Sequence, residues 1–300
     1  MVEKKFEGIF PVLSLPFKDN NLDIDYGSLE SLINFCIDKK AHGVVMFGVA
    51  SEFYKVNDEE SREIIRQVVK TASGRVPVLI GVGQLSTIAT VQLAKFCEDT
   101  GVDGIIVFPP YLMPTGRQEL FKHFIEVAGS VDLPVVIQDA PQISGVNMDN
   151  DFFIGLSEKC SNIKYAKIEA PFAGPKISSI LAATKGKFKI LDGAGGNFFY
   201  ETLERGVCGL LPGCSIIEKF VEIYEEFVKG NKQKAEDIYR NILPLLNLQS
   251  QMAELFIACE KMMLKYRGVI KGSTSRDPWV TIDPLIKDLV IKNMNRILGS

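Results

Sequence analysis

The sequence predicts an α/β fold, a (β/α)8 barrel followed by a C-terminal helical extension. Eight short apolar runs rich in β-branched residues alternate with amphipathic helical stretches, which is typical of parallel βα units. Parallel strands need both faces covered, and a closed barrel with an outer helical layer achieves this most economically. The residues after the eighth strand also keep a helical pattern, which predicts the extension.

The predicted strands are short and follow one another at regular spacing. Their bounds are residues 8–15, 43–47, 76–80, 104–108, 134–137, 163–168, 188–191 and 207–211. Helix signals lie between them. Asn57 with Glu60 three residues later predicts a capping box at the start of one helix. Ser86 and Gly101 predict the beginning and the end of the next.

After the eighth strand the pattern is helical almost throughout. Breaks are expected near Gly230–Asn231 and at Pro244, because proline lacks the amide proton that a helix interior needs. The tail adds another helix. We therefore expect a (β/α)8 barrel, residues 1–213, and a C-terminal helical region, residues 214–300, which packs on the barrel or on a neighbouring subunit.

Composition narrows the classes of function. A net charge of −3 with scattered Lys and Arg gives no basic stripe, so no nucleic-acid partner is expected. No apolar run approaches the roughly 20 residues of a membrane span, and the N-terminus lacks the apolar core of a signal peptide. The six cysteines show no CxxC spacing, so we expect free thiols and a cytoplasmic protein.

The sixth predicted strand contains an unusual lysine, in the stretch "NIKYAKIEAPF". Strand alternation places Ile163, Tyr165, Lys167 and Glu169 on one face. If that face points into the barrel, Lys167 and Glu169 meet at the carboxyl end of the strand. Barrel enzymes carry their active sites at that end.

A lysine inside a barrel has two interpretations. Burial lowers the pKa of an amine, which frees it to attack a carbonyl carbon and form an imine that acidifies the adjacent carbon. Alternatively, Lys167 and Glu169 form a structural ion pair at the strand end. Spacing alone leaves both interpretations open.

Several motifs in a fixed order carry a resemblance to a known family. They are "GIFPVLSLPF", "GVVMFGVASEFYKVNDEES", "GRVPVLIGVG", "GVDGIIVFPPY", "LPVVIQDAP" and "YAKIEAP". Over nearly the whole chain, the sequence resembles the dihydrodipicolinate synthase/N-acetylneuraminate lyase superfamily, the class I pyruvate aldolase barrels. The resemblance implies a Schiff base on Lys167, a small 2-keto acid substrate, no metal or organic cofactor, and a homo-oligomer, a tetramer built as a dimer of dimers.

The loop after the second strand departs from the family pattern. The family has GTTGE or GSTGE, and this chain has "GVASE", with Val49 and Ala50 at the hydroxyl positions. The resemblance implies that the amides of Ala50 and Ser51 hold the substrate carboxylate. A plain turn, with Glu52 tying loops together, is the alternative. Tyr111, after "PP", is expected either to point into the site or to be a structural aromatic at the rim.

The fifth strand departs as well, because Gln138 of "QDAP" replaces the tyrosine of the family's YNxP. An amide has no useful pKa, so Gln138 can only position and hydrogen-bond. Glu169 is then the nearest acid or base. We expect burial to raise its pKa into a useful range.

"QDAP" combined with "KIE" is similar to the branch of 2-keto-3-deoxy sugar acid dehydratases. Gly193 and Gly195, after the seventh strand, would offer backbone groups to a short polyol, although a turn with positive φ explains them equally well. The expected function is a Schiff-base lyase for such an acid, either a dehydratase or a pyruvate-releasing aldolase. The alternatives are a pyruvate-condensing synthase similar to dihydrodipicolinate synthase, and a non-catalytic 2-keto acid binding protein.

Overall fold

A computed structural model describes residues 5–113 and 115–299, and it contains one sheet of eight parallel strands. The strands occur in the order β1-β8-β7-β6-β5-β4-β3-β2, and a parallel bridge between Val12 and Val45 joins the two edges. The predicted (β/α)8 barrel is confirmed. The strands are β1 Gly8–Ile9, β2 Val44–Met46, β3 Val78–Gly81, β4 Gly104–Val107, β5 Val135–Asp139, β6 Ile163–Ile168, β7 Lys189–Asp192 and β8 Gly209–Leu210.

Helices follow the strands and continue beyond the last one. They are α1 Tyr26–Asp38, α2 Asp58–Ala72, α3 Thr87–Thr100, α4 Arg117–Ala128, α5 Pro141–Ser144, α6 Asn150–Lys159, α7 Ala173–Ala183, α8 Phe199–Arg205, α9 Ile217–Val228, α10 Lys232–Gln249, α11 Ala253–Tyr266 and α12 Pro284–Leu298. Short 3-10 turns occupy Val49–Ser51, Phe53–Lys55 and Ala194–Gly196.

The predicted helix ends are confirmed. The Asn57 side chain accepts from the amide of Glu60 at 2.9 Å, and the Glu60 carboxylate accepts from the amide of Asn57 at 3.0 Å. This is the reciprocal capping box. Helix α3 is capped by Ser86 and ends at Gly101, whose φ of 85° suits glycine.

Strand β1 is much shorter than the eight residues predicted. Pro11 and Pro16 have no amide proton to donate to a sheet. The amides of Phe10 and Val12 still donate to the carbonyls of Leu210 and Pro212, at 2.9 and 2.8 Å. The chain therefore stays beside β8 in extended form without making a regular ladder.

The predicted helix break at Pro244 is wrong. Pro244 lies inside α10, where buried Ile242, Leu245 and Leu246 hold the helix on both sides of it. Packing outweighs the lost hydrogen bond here. The break falls instead between Gln249 and Ala253, and it brings the start of α11 over the barrel mouth. The other predicted break, near Gly230–Asn231, is confirmed.

The barrel interior and the helical layer form two separate cores. Tyr165 packs inside the barrel, and Ala166 and Ile168 pack outward against helices, as strand alternation predicts. The prediction that Ile163 faces inward is wrong, since Ile163 belongs to the outer core. A register irregularity, in which Val135 pairs with Ile163 and the next residue pairs with Tyr165, explains the change of face.

No single helix in the described ranges is long and apolar enough to cross a membrane. Helices α10 and α11 together have the length and apolar composition of a span, but they are bent by 118° relative to each other.

Candidate active site

A pocket of about 210 Å³ opens at the carboxyl ends of the strands. The loops after the strands form one part of its wall, and the start of α11 forms the rest. Its lining residues are Val12, Val49, Ala50, Ile143, Lys167, Glu169, Ala194, Gly195, Asn197, Ser250, Leu211, Pro212, Met252, Ala253, Phe256 and Ile257. The pocket lies where barrel enzymes bind their substrates.

Lys167 and Glu169 meet in this pocket, as the alternation of β6 predicts. The Nζ atom of Lys167 lies 3.0 Å from a carboxylate oxygen of Glu169, and Lys167 is only 4% exposed. Both side chains are on the inward face, and Glu169 comes directly after the end of the strand. The protein without a substrate therefore holds the amine and the carboxylate as an ion pair inside a pocket.

Gln138 is the third member of this group. It pairs in register with Lys167 on the neighbouring strand, and its Nε2 donates to Glu169 at 2.8 Å. The amide of Ala194 donates to the other oxygen of Glu169 at 3.1 Å. Each carboxylate oxygen thus has a fixed donor, and Gln138 acts on the carboxylate by hydrogen bonding.

The expectation that burial raises the pKa of Glu169 is wrong. Burial alone does raise it, but the charge of Lys167 and the hydrogen bonds from Lys167, Ala194 and Gln138 outweigh that effect. The pKa of Glu169 therefore lies below its usual value. Glu169 is ionised at neutral pH, which suits a base rather than an acid.

The glycines after β7 make room for this carboxylate. A Cβ atom at Gly193 would lie 2.3 Å from Cγ of Glu169, so a larger residue would displace the side chain. Gly195 has a φ of 67° and lines the pocket beside Phe256. The positive-φ turn interpretation is confirmed for Gly195 and is wrong for Gly193, whose φ is −135°. Backbone contacts from Gly193 and Gly195 to a substrate stay a prediction.

Sequence reasoning missed Asp192, which fixes the same loop from behind. Asp192 is buried at the end of β7 and accepts from Oγ1 of Thr202 at 2.9 Å and from the amide of Gly193 at 2.8 Å. Burial raises the pKa of Asp192 to about 7. A carboxyl at a strand end directly before a glycine-rich turn is the sequence signal for such a residue.

The loop after β2 places one residue in the pocket wall and the next in the protein interior. Ala50 lines the pocket. Ser51 is fully buried, and its amide already donates to the carbonyl of Gly48 at 2.9 Å. The roles of Ala50 and Ser51 in holding a carboxylate stay a prediction.

Glu52 ties this loop to the C-terminal region. Its side chain is fully buried and forms ion pairs with Lys261 of α11 and, at 2.9 Å, with Lys55, while the hydroxyl of Ser275 donates to it. Burial lowers the pKa of Lys261 to about 8, although the charge of Glu52 opposes the shift. This is the structural role that the sequence left open for Glu52.

Tyr111 lies in an aromatic cluster at the rim, outside the pocket wall. Its ring centroid is 5.7 Å from that of Phe108 and 6.2 Å from that of Phe53. Of the two roles open to Tyr111, this placement favours the structural aromatic.

The start of α11 is the part of the site that sequence reasoning missed altogether. Met252, Ala253, Phe256 and Ile257 all line the pocket. No local motif marks them, because only the bend after α10 brings them to the barrel mouth. Asn197, in the loop after β7, also lines the pocket and was also missed.

The chain matches known proteins along almost its whole length. The model of the "Dihydrodipicolinate synthetase family" matches residues 5–296. A protein of Methanocaldococcus jannaschii, named 4-hydroxy-tetrahydrodipicolinate synthase, is 31% identical over 80% of this chain and 82% of its own length. A protein of Methanoculleus marisnigri with the same name is 30% identical over 80% of this chain and 83% of its own length.

Solved structures give the same result. A crystal structure of a dihydrodipicolinate synthase covers 98% of this chain and 99% of its own, with a TM-score of 0.90 and 28% identity. The structure of the 4-hydroxy-tetrahydrodipicolinate synthase of Methylacidiphilum fumariolicum SolV aligns with 98% of this chain over 97% of its own, with a TM-score of 0.90 and 26% identity. Members of this family are lyases and synthases of the class I aldolase type, which use a Schiff-base lysine. The chain therefore belongs to the dihydrodipicolinate synthetase family and is an enzyme of this type.

Proposed function

We propose that Lys167 forms an imine with the keto group of pyruvate, and that the enzyme makes or breaks a carbon–carbon bond at C3 of that unit. The observation that carries this proposal is the ion pair of Lys167 with Glu169 inside the pocket. The names of the relatives support a pyruvate-condensing synthase better than the sugar-acid lyase that the sequence motifs favoured.

The groups present supply each step of such a reaction. The amine of Lys167 attacks C2 of pyruvate, and water leaves to give the protonated imine. The ionised carboxylate of Glu169 removes a proton from C3, which gives the enamine. C3 then attacks the carbonyl carbon of an aldehyde, and the new alkoxide takes the proton back from Glu169. Hydrolysis releases a 4-hydroxy-2-oxo acid and restores the amine.

The second substrate is proposed to differ from that of the biosynthetic synthase. The resemblance places an arginine shortly after YNxP in that enzyme, where it holds a carboxylate. Here Ile143 stands near that point and lines the pocket, and the described lining residues include no arginine. An unpaired carboxylate in such a place would lose its hydration without compensation.

One observation keeps dehydration of a 2-keto-3-deoxy sugar acid as a second candidate. Gln138 replaces the tyrosine of the family, so Glu169 is the proton carrier nearest to the imine. A base at C3 is what loss of a C4 hydroxyl requires. Incubation with five- and six-carbon 2-keto-3-deoxy acids separates the outcomes, because an aldolase releases pyruvate and a dehydratase retains the whole carbon chain.

Glu169→Gln is expected to slow removal of the C3 proton without preventing imine formation. Exchange of the pyruvate methyl protons in D2O, followed by proton NMR, measures this step directly. Loss of a positioned base costs about 10²- to 10⁴-fold. Because the pKa of Glu169 is lowered, protonation of Glu169 should not slow removal of the C3 proton, measured on enzyme saturated with pyruvate, as the pH decreases from 7 towards the usual range of a glutamate.

A mass shift after borohydride treatment with pyruvate provides the control for that experiment. Glu169→Gln should still give the adduct, since Lys167 is unchanged. Exchange at the wild-type rate in this variant would remove Glu169 from the proposed mechanism.

We also propose that the enzyme is a homotetramer in the cytoplasm. Phe172, after β6, and Phe198, after the neighbouring β7, are 87% and 61% exposed, and each offers an apolar side chain for a second copy to cover. The free thiols of all six cysteines, each within the described ranges, suit a reducing compartment. The division into a barrel, residues 1–213, and a helical region, residues 214–300, remains part of the proposal.

Light scattering after size exclusion tests the assembly. The wild type is expected at about four times the 33.3 kDa of the chain. Phe172→Glu should shift the mass downward, because a charge in an apolar interface is not compensated. A monomeric wild type at micromolar concentration would exclude the tetramer.

A further inference from the structure

The pocket wall beyond the reacting pair is almost entirely apolar. The start of α11 contributes Met252, Phe256 and Ile257, and the loop after β5 contributes Ile143. Among the described lining residues, Lys167 and Glu169 alone carry a charge, and they are paired with each other. A carboxylate, ammonium group or chain of hydroxyls on the second substrate would therefore find no charged partner beyond the reacting pair and few hydrogen bonds there.

The size of the pocket limits what can follow the pyruvate unit. Its volume is about 210 Å³. A dry cavity of about 150 Å³ is enough to bind benzene. Once the three carbons of pyruvate are attached to Lys167, the remaining space suits a substituent up to about the size of an aromatic ring.

Two polar uncharged side chains, those of Ser250 and Asn197, interrupt the apolar wall. Asn197 lines the pocket, and its Oδ1 is buried without a hydrogen-bond partner among the residues that the structure describes. Its backbone carbonyl accepts from the hydroxyl of Tyr239, which fixes the residue in place. Only the Nδ2 group of this amide can donate a hydrogen bond to a carbonyl or alkoxide oxygen of a substrate, because Oδ1 can only accept.

On the basis of the proposed pyruvate chemistry, we propose that the second substrate is an apolar aldehyde, aliphatic or aromatic, whose oxygen binds Asn197. C3 of the enamine on Lys167 forms a bond to the aldehyde carbon, the carbonyl double bond opens, and its oxygen takes the proton that Glu169 removed. Nδ2 of Asn197 donates to this oxygen, which becomes the C4 hydroxyl of the product. The apolar substituent lies against Phe256 and Ile143.

A panel of aldehydes with pyruvate tests the substrate class. 2-Methylpropanal and benzaldehyde are compared with glyceraldehyde and with succinic semialdehyde, and the 4-hydroxy-2-oxo acids are quantified by mass spectrometry. The apolar aldehydes are expected to exceed both polar ones by at least tenfold in kcat/KM, the range that apolar pockets achieve. Equal or reversed preference would overturn the inference.

Variants assign the preference to named residues. Ile143→Arg should shift the preference towards succinic semialdehyde by at least tenfold, because it supplies a partner for the carboxylate. Ile88→Arg, at an exposed position of α3 away from the pocket wall, is the matched control and should leave the preference unchanged. An equal shift in both variants would show that overall charge, not the pocket, sets the preference, and would overturn the inference.

Asn197→Leu keeps the approximate shape and removes the polar group. It should lower kcat with every aldehyde while pyruvate is still trapped on the enzyme by borohydride. An unchanged kcat would overturn the role of Asn197.

Trapping also separates this inference from the function on which it rests. Trapped pyruvate without apolar preference contradicts only the substrate class. No trapped pyruvate contradicts the imine chemistry, and the substrate class with it.

Discussion

Lys167→Ala is expected to abolish the pyruvate adduct that borohydride traps on the wild type. The adduct requires an amine at the carbonyl carbon, and Lys167 is the lysine that lines the pocket. Turnover should fall by about 10³-fold or more, the scale seen when a covalent nucleophile is removed. Intact mass spectrometry after reduction measures the adduct, and pyruvate release or consumption measures turnover.

Lys164→Ala is the matched control for this variant. Lys164 lies on the same strand, three residues before Lys167, and is absent from the pocket wall. Its adduct should equal that of the wild type. Persistence of the adduct in Lys167→Ala would mean that another amine carries the chemistry, and the proposed mechanism would fail.

Glu52→Gln is expected to cause the largest loss of stability. The change removes the charge that compensates Lys261, whose side chain is fully buried. Breaking a buried ion pair by removing one partner costs about 3–5 kcal/mol in the free energy of unfolding. Denaturant unfolding followed by circular dichroism measures the loss.

Two further variants test whether the loss of stability comes from the buried ion pair. Glu52→Gln combined with Lys261→Met should recover part of the loss, because no unpaired ammonium remains. Lys265→Met removes a pair with Asp19 in which both side chains are more than 40% exposed, and it should cost at most about 1 kcal/mol. A loss in Glu52→Gln as small as that in Lys265→Met would show that the buried pair contributes little.

The buried lysine also predicts the sign of a pH effect. The pKa of Lys261 is about 8 in the folded protein and 10.5 ordinarily, so between these values the unfolded chain binds more protons. The contribution of Lys261 to stability therefore increases as the pH rises through this window, and it is lost as the pH falls through 8. The difference in unfolding free energy between the wild type and Lys261→Met should increase from pH 8 to pH 10.

Local patterns predicted the barrel and the reacting pair because both depend on short-range geometry. Strand alternation alone brings Lys167 and Glu169 to the inward face of β6. The capping box of Asn57 and Glu60 is likewise readable from four residues. These features require no knowledge of distant packing.

The rest depends on contacts between parts far apart in the chain. Burial raises the pKa of Glu169, but the charge and hydrogen bond of Lys167 lower it most, and hydrogen bonds from Ala194 and Gln138, in other segments, add to that effect. Burial alone therefore predicted the wrong direction. The continuation of α10 through Pro244 depends on side chains that only tertiary packing buries. The pocket wall from α11 follows from that same continuation.

Because of the bend between α10 and α11, the reacting residues and the apolar residues of the pocket wall come from different parts of the chain. The amine and the base belong to the barrel, whereas Met252, Phe256 and Ile257 belong to one turn and a half of a separate helix. Mutations in that short stretch can alter which aldehyde is accepted while β6 stays untouched. Substitutions at these few positions, in evolution or in laboratory selection, can therefore change the substrate while the reaction stays the same.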